Sequence, residues 1–273
     1  MRHLIFSDVH ANLEALEAAL ELAKTLDIDK AWCLGDTVGY GANPYECIVT
    51  VSNYPIGGVF GFYTLQGNHD EAVGNNFEIE NFNAIAYTAA MKHREMLSKT
   101  ERDWLRRLPP AVMFPEPDKD LNVIMSHGAI TRKFGYVLHN FDAFRQMVKM
   151  LDGKFNLMFC GHSHSPGLWR LDRGRDLGTE TEDVEGRLRT SVLTSSNTNG
   201  IEFKVLPEDL MVVDIGSIGQ PRDRDPRSCF VVLDTDAMSV KFHRVEYNIE
   251  KAQKKIRDAG LPGRLADRLA AGE

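Results

Sequence analysis

The sequence predicts an α/β fold, in which short buried strands alternate with helices. Short apolar runs closed by glycine or a polar turn indicate buried strands, and residues 32–36 (Trp-Cys-Leu-Gly-Asp) are the clearest example. Apolar residues at helical spacing follow the first of these runs. The composition, with 43% hydrophobic and 26% charged residues, is typical of a chain with a packed core. Open α/β sheets bind ligands beyond the carboxyl ends of their strands, so polar residues at those ends are the first candidates for a site.

The helices after the first two strands have recognisable start signals. Asn12 is a good N-cap for a helix whose apolar residues Leu16 and Leu20 share one face. Asn43 followed by Pro44 is a common start for a second helix. The other elements predicted in this half are a strand at about residues 58–65, a turn at Asn68-His69, and helices at about residues 81–97 and 101–108, the latter capped by Thr100.

The second half of the chain begins after Pro109-Pro110, which ends the preceding helix. Its predicted strands lie at about residues 111–114, 121–125, 157–160, 210–213, 229–233 and 240–245. Its predicted helices lie at about residues 141–151, 249–259 and 262–270. A chain of 273 residues can form one large domain, so we expect a single domain over residues 1–273.

Residues 170–207 form a charged and polar insertion within that domain. One hypothesis is a solvated hairpin, because polar connecting segments usually run over the surface. The other is a lid over the substrate, because long loops often carry function. Under both hypotheses the insertion takes no direct part in the reaction, since none of the candidate ligands described below lies within it.

The bulk properties limit the possible partners and the compartment. The net charge of -7 argues against broad binding to nucleic acid or to an anionic membrane. The four cysteines are scattered without Cys-x-x-Cys spacing, so they suggest neither a zinc ribbon nor a disulfide framework. No apolar run reaches the roughly 18 residues of a membrane span, and no leader peptide fits before Asp8. We therefore expect a cytoplasmic protein, with its oligomeric state left open.

Five of the apolar runs are followed by side chains that bind metal ions. The runs are residues 3–6 before Asp8 and His10, 32–34 before Asp36, 62–65 before Asn68 and His69, 122–125 before His127, and 157–160 before His162 and His164. Imidazole, carboxylate and amide ligands without a thiolate favour manganese, iron, zinc or nickel. Seven ligands would crowd one ion, whereas two divalent ions that share Asp36 would use them well. Two such ions can activate water for attack on phosphorus, so phosphoester hydrolysis is the first reaction to consider.

The order and spacing of these motifs resemble those of the calcineurin-like metallophosphoesterases over about residues 1–222. The matching motifs are Asp8-x-His10, Gly35-Asp36, Gly67-Asn68-His69-Asp70, His127 and Gly161-His162-x-His164. The resemblance implies two packed mixed β-sheets flanked by helices, a four-layer sandwich. It also implies one metal on Asp8, His10, Asp36 and His164, and a second on Asp36, Asn68, His127 and His162. His69 would face the scissile phosphate and protonate the leaving oxygen or stabilise charge, with Asp70 orienting it.

One departure from the family pattern narrows the expected substrates. The protein Ser/Thr phosphatase branch carries Asp-Arg-Gly after the bridging aspartate, whereas residues 37–41 here read Thr-Val-Gly-Tyr-Gly. The segment is more similar to the small bacterial phosphodiesterase branch. We therefore expect a phosphodiesterase that acts on a small diester or nucleotide. The alternatives are a dinucleoside polyphosphate hydrolase, a protein phosphatase, and a non-catalytic metal-binding scaffold, for which His69 would be superfluous.

Two further residues are candidates for substrate binding. Tyr40 is either a packed aromatic residue or a wall of the substrate site. Arg222, after the predicted strand at residues 210–213, is either a structural residue or a phosphate contact. The histidines outside the motifs, among them His93, are expected to have ordinary structural roles.

Overall fold

The computed structural model describes residues 1–53, 55–56, 59–60, 62–75, 79–116, 119–171, 188–191 and 198–273. It confirms the predicted architecture of two mixed β-sheets flanked by helices. The first sheet has the spatial order β11 (Glu202–Lys204), β14 (Ser239–Val245), β13 (Ser228–Asp234), β1 (Arg2–Phe6), β2 (Lys30–Cys33) and β5 (Tyr63–Thr64). Strands β1, β2 and β5 run parallel, so the chain leaves all three at the same edge of the sheet.

The second sheet has the same number of strands. Its order is β10 (Leu188–Ser191), β9 (Gly167–Leu171), β12 (Leu210–Asp214), β8 (Leu157–Cys160), β7 (Leu121–Ser126) and β6 (Ala111–Glu116). Strands β7, β8 and β12 are parallel at its centre, and antiparallel strands lie on either side of them. A separate short hairpin pairs β3 (Pro55–Ile56) with β4 (Val59–Phe60). The strand predicted at about residues 58–65 is therefore divided between β4 in this hairpin and β5 in the first sheet.

Helices cover the outer faces of both sheets. They are α1 (Leu13–Ala23), α2 (Pro44–Asn53), α3 (Asn68–Asn75), α4 (Ala84–Met96), α5 (Lys99–Arg107), α6 (Asn140–Asp152), α7 (Ile249–Asp258) and α8 (Gly263–Ala271). A 3₁₀ turn at Ile79–Asn81 precedes α4. The predicted turn at Asn68-His69 is instead the start of helix α3.

The helix caps confirm one prediction and correct another. The Asn12 side chain caps α1 by accepting a hydrogen bond from the Ala15 N–H at 3.2 Å, as predicted. Thr100 does not cap α5, because the helix begins at Lys99 and Ser98 is its N-cap. Ser98 and Glu101 form a reciprocal capping box, in which each side chain accepts a hydrogen bond from the backbone N–H of the other residue.

The main core lies between the two sheets, because alternate residues of each strand face the other sheet. Ile5 and Trp32 of the first sheet share this core with Met125 and Phe159 of the second. The intervening residues face outward and meet the helices. Two outer cores result, one between the first sheet and α1, and one between the second sheet and α6. The layers are therefore helix, sheet, sheet and helix.

Two further sequence predictions concern the insertion and the membrane. Strands β9 and β10 at the edges of the predicted insertion pair in antiparallel fashion. Residues 172–187 and 192–197 lie outside the described residues, so the hairpin and lid hypotheses stay predictions. Across the part of the chain that the structure describes, no helix has the length and apolar character needed to cross a membrane.

Candidate metal centre

The loops that leave β1, β2, β7 and β8 meet at one place, where the carboxyl ends of the two sheets come together. Backbone hydrogen bonds join these loops directly. The Asp8 N–H donates to the Gly35 carbonyl at 3.0 Å, and the His10 N–H donates to the Asp36 carbonyl at 2.9 Å. The Gly161 N–H donates to the His127 carbonyl at 2.9 Å. All seven predicted ligands lie in these loops or at the start of α3: Asp8, His10, Asp36, Asn68, His127, His162 and His164.

One group of side chains contains Asp8, His10 and His164, and all three are buried. The His164 Nε2 atom lies 3.2 Å from Asp8 Oδ1, and His10 Nε2 lies 3.6 Å from the same oxygen. The other Asp8 oxygen accepts a hydrogen bond from the His162 N–H at 2.9 Å. Asp8 Oδ1 is buried and has no hydrogen-bond partner among the described residues, so it is available to a cation.

A second group contains Asp36, His127 and His162. The His127 Nε2 atom lies 3.3 Å from Asp36 Oδ2 and 3.1 Å from His162 Nδ1. The Asn68 Oδ1 atom lies 3.2 Å from the same His127 nitrogen, which adds the predicted amide ligand to this group. Four potential ligand atoms therefore surround one point beside Asp36.

Asp36 joins the two groups through a single oxygen. Its Oδ2 atom lies 3.6 Å from His10 Nε2 in the first group and 3.3 Å from His127 Nε2 in the second. Its Oδ1 atom is occupied by the His69 N–H at 2.8 Å. This is the geometry expected of a carboxylate shared by two ions.

The tautomers of three histidines are fixed by backbone carbonyls. The Nδ1 atoms of His10, His127 and His164 contact the carbonyls of Val38, Leu34 and Gln220 at 3.1, 3.0 and 2.6 Å, respectively. A carbonyl only accepts, so each Nδ1 carries a proton and donates it, leaving Nε2 to bind a metal.

The orientation of the His10 and His164 rings fits a bound cation. The Nε2 lone pairs of His10 and His164 face each other at 3.1 Å, which is unfavourable unless a cation lies against both. Buried imidazole nitrogens without protons, beside ionised carboxylates, form a donor set suited to divalent transition metals. The residues present therefore fit the metal centre that the sequence predicts.

The protonation states of Asp8, His162 and His164 match this donor set, whereas at His127 a metal ion would replace a proton. Burial alone would raise the pKa of Asp8, but the imidazoles of His164 and His127 outweigh it and hold that pKa well below its ordinary value. Burial lowers the pKa of His162 to about 3 and that of His164 to about 4, so both imidazoles are neutral. Burial opposes protonation of His127 as well, yet Asp36 and Asp8 raise its pKa to about 9. The two carboxylates thus draw positive charge to the His127 nitrogen.

The backbone at the site is held in an uncommon conformation. Asp8, His10, Asp36, His162 and His164 all have φ between 49° and 71°, in the left-handed region that most residues avoid. Such strain persists where the surrounding structure enforces it, and it is frequent at functional sites. Here it turns the side chains sharply from the strand ends into the cleft between the sheets.

The predicted catalytic pair, His69 and Asp70, is placed beside the ligands. His69 is buried, and its ring centre lies 5.0 Å from that of His10 and 4.5 Å from that of Tyr40. Distance alone also groups His69 with His10 and Asp36 as a possible ligand. Its Nδ1 atom is buried and has no hydrogen-bond partner among the described residues.

The expected role of Asp70 needs correction. Its two carboxylate oxygens accept hydrogen bonds from the Val38 N–H at 3.2 Å and the Gly67 N–H at 3.0 Å. The structure shows no hydrogen bond between this carboxylate and the His69 ring within the described chain. Asp70 therefore ties the loop after β2 to the start of α3, and it does not orient the imidazole directly.

Three aromatic and basic residues form the rim of the centre. The Tyr40 ring centre lies 4.5 Å from that of His10, and the Arg222 guanidinium lies 5.7 Å from the Tyr40 ring centre. The Arg222 N–H donates to the His164 carbonyl at 3.0 Å. No local pattern marked Tyr136, whose ring stacks on that of His162 with 4.0 Å between the ring centres.

His93, a buried residue of α4, has a role that no local pattern marked. Its Nδ1 accepts a hydrogen bond from the Gly39 N–H at 3.0 Å, and its Nε2 contacts the Gly41 carbonyl at 2.8 Å. Burial lowers its pKa to about 4, which keeps the imidazole neutral and able to do both. His93 thus clamps the loop that carries Tyr40.

Comparisons with known proteins show the family of this chain. A family model described as the calcineurin-like phosphoesterase superfamily domain matches residues 1–238. An uncharacterized protein of Methanocaldococcus jannaschii is 31% identical over 98% of this chain and 97% of its own length.

Two solved structures resemble the whole chain. The metallophosphoesterase from Sphaerobacter thermophilus is 32% identical, with a TM-score of 0.79 over 100% of this chain and 99% of that one. A hypothetical protein of Pyrococcus horikoshii has a TM-score of 0.74 at 19% identity, covering 100% of this chain and 98% of that one. The second likeness concerns the fold alone.

Proposed function

This chain belongs to the calcineurin-like phosphoesterase superfamily and is a phosphoester hydrolase, and from this premise we propose that it is a dinuclear metal-dependent phosphodiesterase acting on a small diester or nucleotide. One observation carries the dinuclear part of the proposal. The single Asp36 Oδ2 atom lies within 3.6 Å of a histidine nitrogen in each of the two ligand groups.

Each predicted ligand has a place in this proposal. Asp8, His10 and His164 would hold one ion, Asn68, His127 and His162 would hold the other, and Asp36 would bridge them. Two divalent ions would supply an activated water and neutralise charge on the phosphoryl group. Manganese, iron, zinc and nickel all suit a set of nitrogen and oxygen donors, and manganese is the first to test.

The residues of the chain would position the ester and its leaving group. His69 Nδ1 faces the Gly39 backbone, which leaves Nε2 as the nitrogen that can reach a bound ester. We assign His69 to the leaving oxygen, which it would protonate or stabilise. Tyr40 and Arg222 border the ligands on the open side and would contact the substrate. Asp70 would act on His69 indirectly, because it holds the loop against which His69 packs.

The loop after Asp36 favours a small substrate over a phosphoprotein. The phosphatase branch has a phosphate-binding arginine at this place, whereas residues 37–41 of this chain contain no arginine. The backbone of these residues is held by hydrogen bonds to Asp70 and His93. Tyr40 fills that place with a buried ring against His10. Arg222 places a guanidinium against Tyr40, from a different position in the fold.

A substrate and metal screen tests the proposal. We expect metal-depleted protein to hydrolyse phosphodiesters after addition of manganese or another transition metal, faster than phosphomonoesters and phosphopeptides. Asp36→Asn should abolish this activity in the same assay. Comparable turnover of phosphopeptides would favour a protein phosphatase. Absence of hydrolysis with every metal and ester, by a protein that binds metal, would favour the scaffold hypothesis.

A further inference from the structure

A cavity of about 480 Å³ opens directly beside the candidate metal centre. Tyr40 and Arg222 line both the cavity and the edge of the metal centre, so the two spaces share a wall. On its far side the cavity is closed by Arg264 and Arg268 of α8. This helix lies beyond residues 1–238, which the family domain covers.

The cavity is strongly cationic. Three guanidinium groups line it, those of Arg222, Arg264 and Arg268, and none of the described residues that line it is acidic. Burial lowers the pKa of Arg268, and the neighbouring Arg222 and Arg264 lower it further, while Tyr40 and Glu273 act in the opposite direction. Like charges gathered without an acidic partner in the lining cost free energy unless an anion binds among them.

Part of this cationic surface has unused hydrogen-bonding capacity. The Arg222 Nη2 atom donates to Gln220 Oε1 at 2.9 Å, but the Arg222 Nε atom is buried and has no partner among the described residues. Arg268 Nε donates to the carbonyl of Glu273. Arg264 is exposed and forms no ion pair with a side-chain carboxylate in the described chain. Guanidinium groups with free N–H bonds are well suited to phosphate oxygens.

The start of helix α4 adds to the positive character of the cavity. Asn83, the N-cap of this 13-residue helix, lines the cavity together with Ala84 and Ile85 of its first turn. The N-terminal end of a helix carries partial positive charge and unpaired N–H groups, which favour a bound anion. Two independent elements, α4 and α8, therefore direct positive charge into the same space.

We propose that this cavity, which we name the Arg264/Arg268 pocket, binds a second phosphoryl group of the substrate while the metal centre cleaves the first. The inference rests on the proposed function and narrows it to esters that carry at least two phosphoryl groups, such as nucleoside bisphosphates or polyphosphates. A simple diester would leave the three guanidinium charges without an anion in the cavity. The shared wall of Tyr40 and Arg222 would lie between the reacting and the non-reacting phosphate.

Two esters with the same scissile bond test the pocket. They are the p-nitrophenyl ester of thymidine 5′-phosphate, with and without a free 3′-phosphate. We expect the wild-type, metal-loaded protein to have a higher kcat/KM for the ester with the 3′-phosphate, by about tenfold for each charge-assisted hydrogen bond gained. Arg264→Gln/Arg268→Gln should remove this preference while leaving the simple ester unaffected.

The control variant removes the same charge from a neighbouring helix. Lys254 and Arg257 of α7 are exposed and lie outside the pocket lining, so Lys254→Gln/Arg257→Gln should keep the preference. Because Arg268 contacts the backbone of Glu273, the single variant Arg264→Gln serves if the double variant fails to fold. An unchanged preference in that folded variant, or an equal loss on both esters, would overturn the inference.

A binding measurement separates this inference from the proposed function. Calorimetric titration of metal-free protein with thymidine 3′,5′-bisphosphate and with thymidine 5′-phosphate needs no turnover. We expect tighter binding of the bisphosphate, lost in the Arg264→Gln variant and kept in the α7 control. If neither ester is hydrolysed but this difference is found, the pocket stands and the phosphodiesterase proposal fails. Equal affinities in the wild-type protein would overturn the pocket.

Discussion

At the scale of single residues, the arrangement around Asp36 makes the sharpest prediction. Asp36→Asn keeps the shape of the side chain but removes the charge that faces both ligand groups, so we expect both metal sites to weaken. His10→Ala should weaken mainly the site that contains Asp8 and His164. Metal titration followed by elemental analysis measures the two affinities.

The control for this experiment is Asp152→Asn, an exposed carboxylate on α6, which should bind metal as the wild-type protein does. Equal loss at both sites in the Asp36 and His10 variants alike would contradict the bridging role of Asp36.

His69 provides the second prediction at this scale. We expect His69→Gln to keep both metals and to lose activity by about 10²–10⁴-fold on alkyl phosphodiesters. The loss should be smaller on nitrophenyl esters, because a nitrophenolate leaves without a proton. Parallel measurement of kcat and metal content distinguishes this role from that of a ligand. If the variant loses a metal ion, His69 belongs to the group it forms with His10 and Asp36.

The site residues that could be predicted from the sequence are those that stand in a recognisable local pattern. All seven predicted ligands follow predicted strands, and the structure brings them together, although their binding of metal stays a prediction. The roles of Asp70, His93 and Tyr136 could not be predicted, because each depends on contacts between segments far apart in the chain. A histidine 52 residues from Gly41 gives no local sign that its ring will bind that carbonyl.

At the scale of elements, the turn after β8 depends on the absence of a side chain at Gly161. A Cβ atom there would lie 2.5 Å from Asp8 Oδ2 and 2.5 Å from Ser7 Oγ. Gly161→Ala should therefore destabilise the protein by about 1–3 kcal/mol and displace Asp8. Gly263→Ala is the control, because nothing lies within 4 Å of a Cβ at that position. Denaturant unfolding of both variants checks the prediction, and equal stabilities would contradict it.

The packing of α7 on α1 makes a prediction about pH. Glu14 is buried and bonds to Lys255 at 2.6 Å and to Lys251 at 3.1 Å. Burial would raise the pKa of Glu14, but the two lysines outweigh it and lower that pKa below its ordinary value of 4.5. The unfolded chain then binds the proton more readily, so this contribution to stability is present above pH 4.5 and is lost as the pH falls through the lowered pKa.

We accordingly expect Glu14→Gln to destabilise the protein by about 1 kcal/mol near neutral pH. The difference from the wild-type protein should shrink in acid, below the ordinary pKa of the carboxyl group. Urea unfolding at a series of pH values measures it. A difference that is independent of pH would show that the ion pairs are not its cause.

Element boundaries were predictable where one pattern dominates and not where two compete. The Asn12 cap and the strand Leu157–Cys160 follow directly from the sequence. The N-cap of α5 was wrong because Thr100 and Ser98 are both good caps, and only the reciprocal bond of Glu101 selects Ser98. Strands β4 and β5 were merged into one predicted strand, because the largely apolar residues 59–65 look like one run in the sequence.

At the scale of the whole molecule, we expect two divalent ions per chain and a marked increase in stability when they bind. Ligands that bind only the folded state stabilise it by about 2.7 kcal/mol at a concentration of 100 times Kd. Thermal unfolding with increasing manganese or zinc, together with metal analysis after gel filtration, tests both points. A stoichiometry that stays at one under saturation with every metal would contradict the dinuclear proposal. Chelation should return the unfolding temperature to that of the metal-free protein.

The architecture was predictable because the family motifs fix it, whereas the Arg264/Arg268 pocket was not. The two sheets supply ligands from strand ends, which the sequence marks with glycines and short apolar runs. Helix α8 reads as an ordinary amphipathic helix, and its arginines look like solvated surface charges. Arg264 and Arg268 line a common cavity with Tyr40 and Arg222 only because α8 packs beside those residues in the folded chain.

The position of β1 in the first sheet has a consequence for how the protein is made. This strand precedes both β2 and β13 in the chain, yet it lies between them in the sheet, and its partner β13 follows more than 200 residues later. His164 also emerges long after Asp8, the oxygen of which it approaches at 3.2 Å. Because such distant pairings form slowly and His164 is the last predicted ligand in the chain, the metal centre can be completed only after residue 164 has been synthesised. A nascent chain interrupted before residue 162 would therefore carry four of the five ligand-bearing turns and neither complete ligand group.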